Sequence, residues 1–216
     1  IRKVTSADVG SDYWVKVIGA CGEAQSQTFA ISIARIAADA ADVKVCPGSD
    51  ALLMANATLT GATPSHSMSY QWYRGGVKLM DGSHYSGSGN ATLTIHGAVP
   101  GDGGSDYSCV ITANPGAVTT TTVSGVSVEL KKATTVSVPA SVVVCEGQPA
   151  DIQAVADGEG TLKYTWRHGQ SELPAFTTDK WNTTELKLVD AGWYTVTVEG
   201  ECGVVTSQPV LVKVLT

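Results

Sequence analysis

The chain has 216 residues, 43% of them hydrophobic and 16% charged, and its 14 basic against 20 acidic side chains leave a net charge of −6. That balance offers no basic face to a phosphate backbone, which excludes nucleic acid as a partner. No apolar run reaches the roughly 18 residues of a membrane-spanning helix, so no membrane insertion of this segment is expected.

Twenty-three glycines, abundant Thr, Val and Ser, and almost no helical periodicity predict an all-β chain. In chain order, the first distinctive stretch is Asp8-Val9-Gly10-Ser11-Asp12-Tyr13, followed by Gly19-Ala20-Cys21-Gly22 and Ser26-Gln27. Residues 35–41 then interrupt the strand pattern. Next come Cys46-Pro47-Gly48 with Ala51, Leu53 and Ala55, then Tyr70-Gln71-Trp72, Leu93 and Ile95, and Asp102-Gly103-Gly104-Ser105-Asp106-Tyr107-Ser108-Cys109. Lys131-Lys132-Ala133 marks a second interruption. The same features follow again: Cys145-Glu146-Gly147 with Ala150, Ile152 and Ala154, Tyr164-Thr165-Trp166, Leu186 and Leu188, Asp190-Ala191-Gly192-Trp193-Tyr194, Gly200-Glu201-Cys202-Gly203 and Ser207-Gln208. The tyrosines Tyr13, Tyr107 and Tyr194 recur at intervals of 94 and 87 residues. A shared order of so many features makes this a tandem array.

Short β-rich runs bounded by Gly, Pro, Asn and Ser, one central Trp and one late Tyr per unit describe a Greek-key sandwich. Trp72 and Trp166 take the place of the indole in the middle of the core on strand C, and the Asp-to-Tyr segments read as tyrosine corners opening strand F. The units resemble immunoglobulin-like domains, and the Cys-x-Gly opening with a second Cys after strand F most resembles the bacterial Ig-like repeats of large secreted and surface proteins of Bacteroidota. The resemblance covers essentially the whole chain. It implies tandem Ig-like Greek-key β-sandwiches: residues 1–36 as the C-terminal part (strands E to G) of one domain, 37–131 as a second and 132–216 as a third. Residues 1–4 align near strand E, so the chain is expected to begin inside a domain, and linkers this short favour a stiff stack.

The five cysteines, Cys21, Cys46, Cys109, Cys145 and Cys202, imply an oxidising, extracellular or cell-surface setting. One bridge per complete domain would join Cys46 to Cys109 and Cys145 to Cys202. However, Cys202 lies eight residues past Tyr194, roughly 26 Å along strand F, while Cys145 precedes strand B at the other end of such a sandwich. The alternative joins Cys46 to Cys202, leaving Cys145 for a following domain and Cys21 for a preceding one. Cys109 would then be a buried thiol, with Met54 where its partner would stand.

No metal-ligand spacing, nucleophile elbow, phosphate loop or calcium loop occurs, so neither catalysis nor a cofactor is expected. His66, His84, His96 and His168 read as solvated or strand-end residues. The small-residue stretch 81–90 reads as a solvated, mobile loop, with Tyr85 as a candidate aromatic contact for a protein or glycan. Trp181, outside the Trp166 core position, is the other candidate contact, weighed against burial in the D–E region. Asn56, Asn90 and Asn182 each open an Asn-x-Thr triplet. The leading expectation is a non-catalytic stalk segment of a large adhesin-like protein, with neighbouring Ig-like domains as its partners. Direct protein or glycan binding, or an accessory role beside a secreted hydrolase, are the alternatives.

Overall fold

The computed structural model describes residues 5–31, 33–61, 67–114 and 119–216; residues 1–4 and His66 lie outside them. The chain divides into two compact units, Ile1–Val43 with Asp50–Gly97 and Asp102–Glu129, and Lys44–Ser49 with Ala98–Gly101 and Leu130–Thr216.

The first unit opens with a ribbon of β1 (Gly10–Tyr13), β2 (Lys16–Gly19), β3 (Gly22–Gln25) and β4 (Phe29–Ile31), in which β1 pairs with β4 and β2 with β3, both antiparallel. There follow β5 (Arg35–Ala40), β6 (Val43–Val45), β7 (Ala51–Thr60), β8 (Ser67–Arg74), β9 (Val77–Lys78), β10 (Tyr85–Ser86), β11 (Thr92–Ile95), β12 (Gly104–Asn114) and β13 (Thr120–Leu130). They form two sheets, ordered β10-β11-β7-β5 and β6-β13-β12-β8-β9. Strict alternation along β7 and β12 turns Ala51, Leu53, Ala55, Tyr107, Cys109, Ile111 and Ala113 inward around Trp72. The same alternation turns Met54 outward, so Met54 is not the residue facing Cys109. Residues 35–41 do not interrupt the strand pattern as expected. Arg35–Ala40 is β5, in register with β7 from Arg35↔Thr60 to Ala40↔Ala55. Alanines are poor strand formers in isolation, but here a paired neighbour supplies the ladder and overrides that preference.

The second unit contains β14 (Thr135–Ser137), β15 (Ser141–Cys145), β16 (Ala150–Gln153), β17 (Val155–Asp157), β18 (Lys163–His168), β19 (Ser171–Glu172), β20 (Lys180–Thr183), β21 (Gly192–Gly200), β22 (Gly203–Thr206) and β23 (Val210–Leu215). The main sheet runs β15-β23-β21-β18-β19, with β22 pairing β21 and β15 parallel to β23. β14 pairs with β17, and β16 with β20.

Both sandwiches anchor their central indole alike. Trp72 Nε1 donates to the Asn90 carbonyl at 2.9 Å, and Trp166 Nε1 to the Thr178 carbonyl at 2.9 Å. The strand facing them is where the sequence register slips. Leu93 stands opposite Leu53 and Ile95 opposite Ala51, whereas in the second unit it is Trp181 that stands opposite Ile152, and Thr183 opposite Ala150. Trp181 is thus the counterpart of Leu93. Leu186 accepts from Gly147 N as Ala98 accepts from Gly48 N, and Leu188 is exposed. Matching Leu186 and Leu188 to Leu93 and Ile95 is therefore five residues out, because Leu-x-Leu in a turn imitates the alternation of a strand.

The tyrosine corner occurs three times. Tyr13 Oη donates to the Asp8 carbonyl at 2.9 Å, Tyr107 Oη to that of Asp102 at 3.1 Å, and Tyr194 Oη to that of Asp190 at 3.0 Å. Gly192 precedes the last at φ +146°, where a Cβ would meet His168 Nε2 at 2.5 Å. The His168 ring stacks on Tyr194 with centroids 4.4 Å apart, so a side chain at 192 would break that stack. Burial raises the Tyr194 hydroxyl from its ordinary 10.0 to about 12, with the charge of Asp190 adding to it; burial likewise raises Tyr107. A group whose folded value is raised contributes stability that is fully present below its unfolded value and is lost as pH rises through the folded one. The urea midpoint should therefore hold up to about pH 10 and then fall towards pH 12. Tyr194→Phe should flatten the contribution of the second unit to that decline; an unchanged profile would separate the decline from this hydroxyl.

Candidate functional site

Three places bring polar or reactive groups together. The first centres on Asp102, buried at 2% exposure in the 3-10 turn Pro100–Asp102. His84 Nε2 lies 2.8 Å from Asp102 Oδ1, and Arg74 Nη1 lies 3.4 Å from the same oxygen. The Arg74 guanidinium also reaches Asp106 at 3.4 Å and sits 5.0 Å over the Tyr107 ring. Tyr85 is half-buried with its ring edge-on to His84 at 4.6 Å.

This cluster fastens the stretch read as a mobile loop. Asp81 Oδ1 accepts from Ser88 N at 2.7 Å, and the Ser88 carbonyl accepts from Trp72 N at 2.8 Å. His96 Nε2 meets Ser86 Oγ at 2.8 Å while His96 Nδ1 meets Asp50 at 3.0 Å. The segment is ordered because backbone partners on β8 and β11 satisfy it, which its Gly/Ser composition conceals. His84, His96 and His168 are correspondingly bonded or stacked, not merely solvated. The buried carboxylate takes both the imidazole and the guanidinium, so the arrangement reads as a structural clasp. Asp102→Ala takes the shared carboxylate away from Arg74 and His84 and vacates a buried position; it should lower stability by about 1–3 kcal/mol and loosen 81–90, measured as faster amide exchange at Ser88. Protection equal to wild type there would show that the clasp does not hold the segment.

The second place is the bridge Cys46–Cys202, with Cα atoms 5.3 Å apart and a sequence separation of 156. Both residues belong to the second unit. The one-bridge-per-domain pairing is not formed: Cys145 stands level with Leu215, at the far end of β21 from the Gly200–Gly203 hairpin that carries Cys202. Ion pairs flank the bond, Lys131 to Glu201 at 2.7 Å and Lys44 to Glu159 at 3.0 Å. Close packing under the hairpin requires Gly200, where a Cβ would lie 2.6 Å from Thr134 Oγ1. Cys109 is a buried thiol whose pKa burial lifts to about 11, which makes it unreactive. Cys21 and Cys145 are exposed thiols.

The third place is the N-terminal ribbon. Beyond Tyr13 it repeats two further hydrogen bonds of the second unit. Asp8 accepts from Thr5 N at 2.8 Å as Asp190 accepts from Lys187 N at 2.8 Å. Ser26 Oγ accepts from Val15 N as Ser207 Oγ accepts from Val196 N. The difference lies in burial. Val196, Val198 and Val210 are 0% exposed, whereas their counterparts Val15, Val17 and Phe29 are 52%, 63% and 47% exposed. The ribbon presents a core face with nothing packed on it among the described residues.

Of the two candidate aromatic contacts, Trp181 is 4% exposed and packs 4.6 Å from the Tyr194 ring. It is not a surface contact, because its position on β20 points inward, as Leu93 does on β11. Tyr85 is partly covered by the Asp102 clasp. The described residues contain no group of three or more His, Cys, Asp or Glu placed to hold a metal, and no helix long and apolar enough to cross a membrane.

Solved structures with a similar fold include a three-Ig fragment of titin, domains I67–I69, at 18% identity and a TM-score of 0.59 over 86% of this chain. The two Ig domains of DIP-gamma align at 12% identity and a TM-score of 0.55 over 85% of this chain and 98% of theirs. The fold is that of immunoglobulin-like β-sandwiches. At these identities the likeness extends to the fold alone, and this chain spans 66% of the titin fragment's length. No protein-family model matches the Ig-like chain, and no curated protein sequence matches it.

Proposed function

We propose that the chain is a non-catalytic structural segment of a larger extracellular or cell-surface protein of the adhesin type. Its parts are two complete Ig-like domains, residues 37–131 and 132–216, and the E-to-G part of another, residues 1–36. The Cys-x-Gly turns associate it with the Bacteroidota-type repeats, and its partners are neighbouring Ig-like domains of the same protein. The observation that carries this reading is topological. The Cys46–Cys202 bond closes a loop of sequence separation 156 around β7 to β21. Tension along the chain passes from Cys46 to Cys202 through the bond, and almost everything between them is unloaded. Such a bond suits an inextensible spacer and an oxidising compartment. It also stabilises: a loop of this length lowers the entropy of the unfolded chain by the equivalent of about 5 kcal/mol. Direct glycan or protein binding is less well supported, since Trp181 is core and Tyr85 is partly covered. The test is single-molecule extension of the chain before and after reduction. An extension that does not depend on reductant would overturn the reading.

A further inference from the structure

We propose that Lys44, Lys131, Glu159 and Glu201 form a collar that docks the Cys46 turn on the Cys202 hairpin before any bond joins them, and that this collar selects which cysteines pair. The inference rests on the spacer reading and deepens it, because it names the side chains that set the bond on which the spacer depends.

The contacts close a ring. Lys131 N donates to the Val45 carbonyl at 2.8 Å, which fixes Lys131 beside the Cys46 turn, and its Nζ reaches Glu201 Oε2 at 2.7 Å. Glu201 N donates to the Glu159 carbonyl at 3.2 Å. The Glu159 carboxylate meets Lys44 Nζ at 3.0 Å, and Lys44 leads back into Val45. Lys132 N adds a bond to Glu159 Oε2 at 3.2 Å. All of these residues belong to the second unit, as do both cysteines. The Cys46 sulfur lies 3.6 Å from the Glu201 carbonyl oxygen, so the bond stands directly beside the ring. None of the ring's contacts uses the sulfur–sulfur bond, so the ring is able to form while both thiols are reduced.

The side chains of Lys131 and Glu159 are only 26% and 24% exposed, so their pairs are screened less than fully solvated ones. Lys44 holds the Glu159 carboxyl below its ordinary 4.5, helped by the Lys132 N–H and by the charge of Lys131. That carboxylate therefore stays ionised wherever thiolates exchange.

Selection matters because the reduced chain carries competitors. Cys46 and Cys202 are separated by 156 residues, and Cys21 and Cys145 are exposed. Chance encounter across so long a loop is entropically unfavourable and has no reason to prefer Cys202. The competing positions lack the matching charges. Ala20 precedes Cys21 where Glu201 precedes Cys202, and the charges on that hairpin, Lys16 and Glu23, pair with each other. Val143 stands two residues before Cys145 where Lys44 stands two before Cys46, and Glu146 beside Cys145 repeats the sign of Glu201. A Cys21 hairpin brought to the Cys46 turn leaves Lys131 without the carboxylate that Glu201 supplies.

Bond formation needs an oxidant, here oxidised glutathione. One of the two docked thiolates attacks a glutathione sulfur and releases one glutathione thiolate. The other then attacks the protein sulfur of the mixed disulfide and releases the second, and the two thiol protons leave with the two glutathiones.

The experiment equilibrates the 216-residue chain in buffers of reduced and oxidised glutathione, quantifies each disulfide by peptide mass, and expresses Cys46–Cys202 as an effective concentration. Lys131→Met and Lys44→Met should each lower it about two- to fivefold, as the loss of a partly exposed ion pair does, and raise the share of Cys46–Cys21 peptides. Exchanging the charges, Lys131→Glu with Glu201→Lys, should restore it to within about twofold. Raising the salt from about 0.05 M to about 0.5 M should weaken the wild type likewise and leave the double Lys44→Met, Lys131→Met variant nearly unchanged. Lys163→Met, which breaks the Lys163–Glu199 pair outside the ring, should have no effect. Equal effective concentrations in wild type and lysine variants, an equal loss in Lys163→Met, or a charge exchange no better than Lys131→Met alone would overturn the inference. A wild type that forms no Cys46–Cys202 bond defeats the spacer reading itself, whereas a bond formed equally well without the lysines defeats only the collar.

Discussion

Held at its two ends and stretched in oxidising buffer, the protein should yield only the length stored outside the Cys46–Cys202 loop; adding a reductant should release roughly 50 nm more. The loop runs from the Cys46 turn to the Cys202 hairpin and takes in β7 to β21, a sequence separation of 156. Under load only residues 1–46 and 202–216 lie on the force path, so past Cys202 only β22 and β23 are left to be peeled away. No rupture of backbone ladders inside the loop adds length while the covalent bond holds. Cys46→Ser should behave in oxidising buffer as the wild type does after reduction. If the wild type shows the full extension without reductant, the bond is not formed in solution and the mechanical reading loses its basis.

Replacing Trp181 by Ala should cost about 3–5 kcal/mol, a large part of the 5–15 kcal/mol that typically holds a domain together. The indole fills the face of β20 opposite Ile152 and lies against Tyr194 and Phe176. These neighbours are themselves tied down, Tyr194 by its bond to the Asp190 carbonyl, so the cavity has little freedom to collapse. Trp193 is the natural control, being 53% exposed on the outer side of β21. Trp193→Ala should change stability by less than about 0.5 kcal/mol. Urea unfolding of both variants decides it: similar losses for the two would mean that the placement of Trp181 in the core is wrong.

Features that repeat locally were legible in the sequence. Tyr13, Tyr107 and Tyr194 announce their corners because the bond each makes spans only four or five residues. Trp72 and Trp166 announce the core because nothing else so large recurs in register. Histidines 84 and 96 were not legible, since Asp102 and Asp50 lie 18 and 46 residues away from them. Nor was the order of segment 81–90, whose partners are backbone groups that carry no residue-type signature. Trp181 was left open between surface contact and burial for a related reason: a strand of four residues preceded by an irregular segment has no periodicity long enough to set its phase, and only pairing with β16 does so.

The cysteines divide the two kinds of information most sharply. The sequence by itself determined an all-β tandem array, its repeat length, and the fact that cysteines sit in Cys-x-Gly turns and Gly-x-Cys-Gly hairpins, because these depend on alternation and tight turns between near neighbours. It left the pairing of Cys46 open between Cys109 and Cys202. Only the tertiary structure decided it, by bringing two Cα atoms to 5.3 Å across a sequence separation of 156 while the inward register of β12 buried Cys109. Spacing along a chain bounds which residues are able to meet, but which of them do meet is set by how the strands fold back in space.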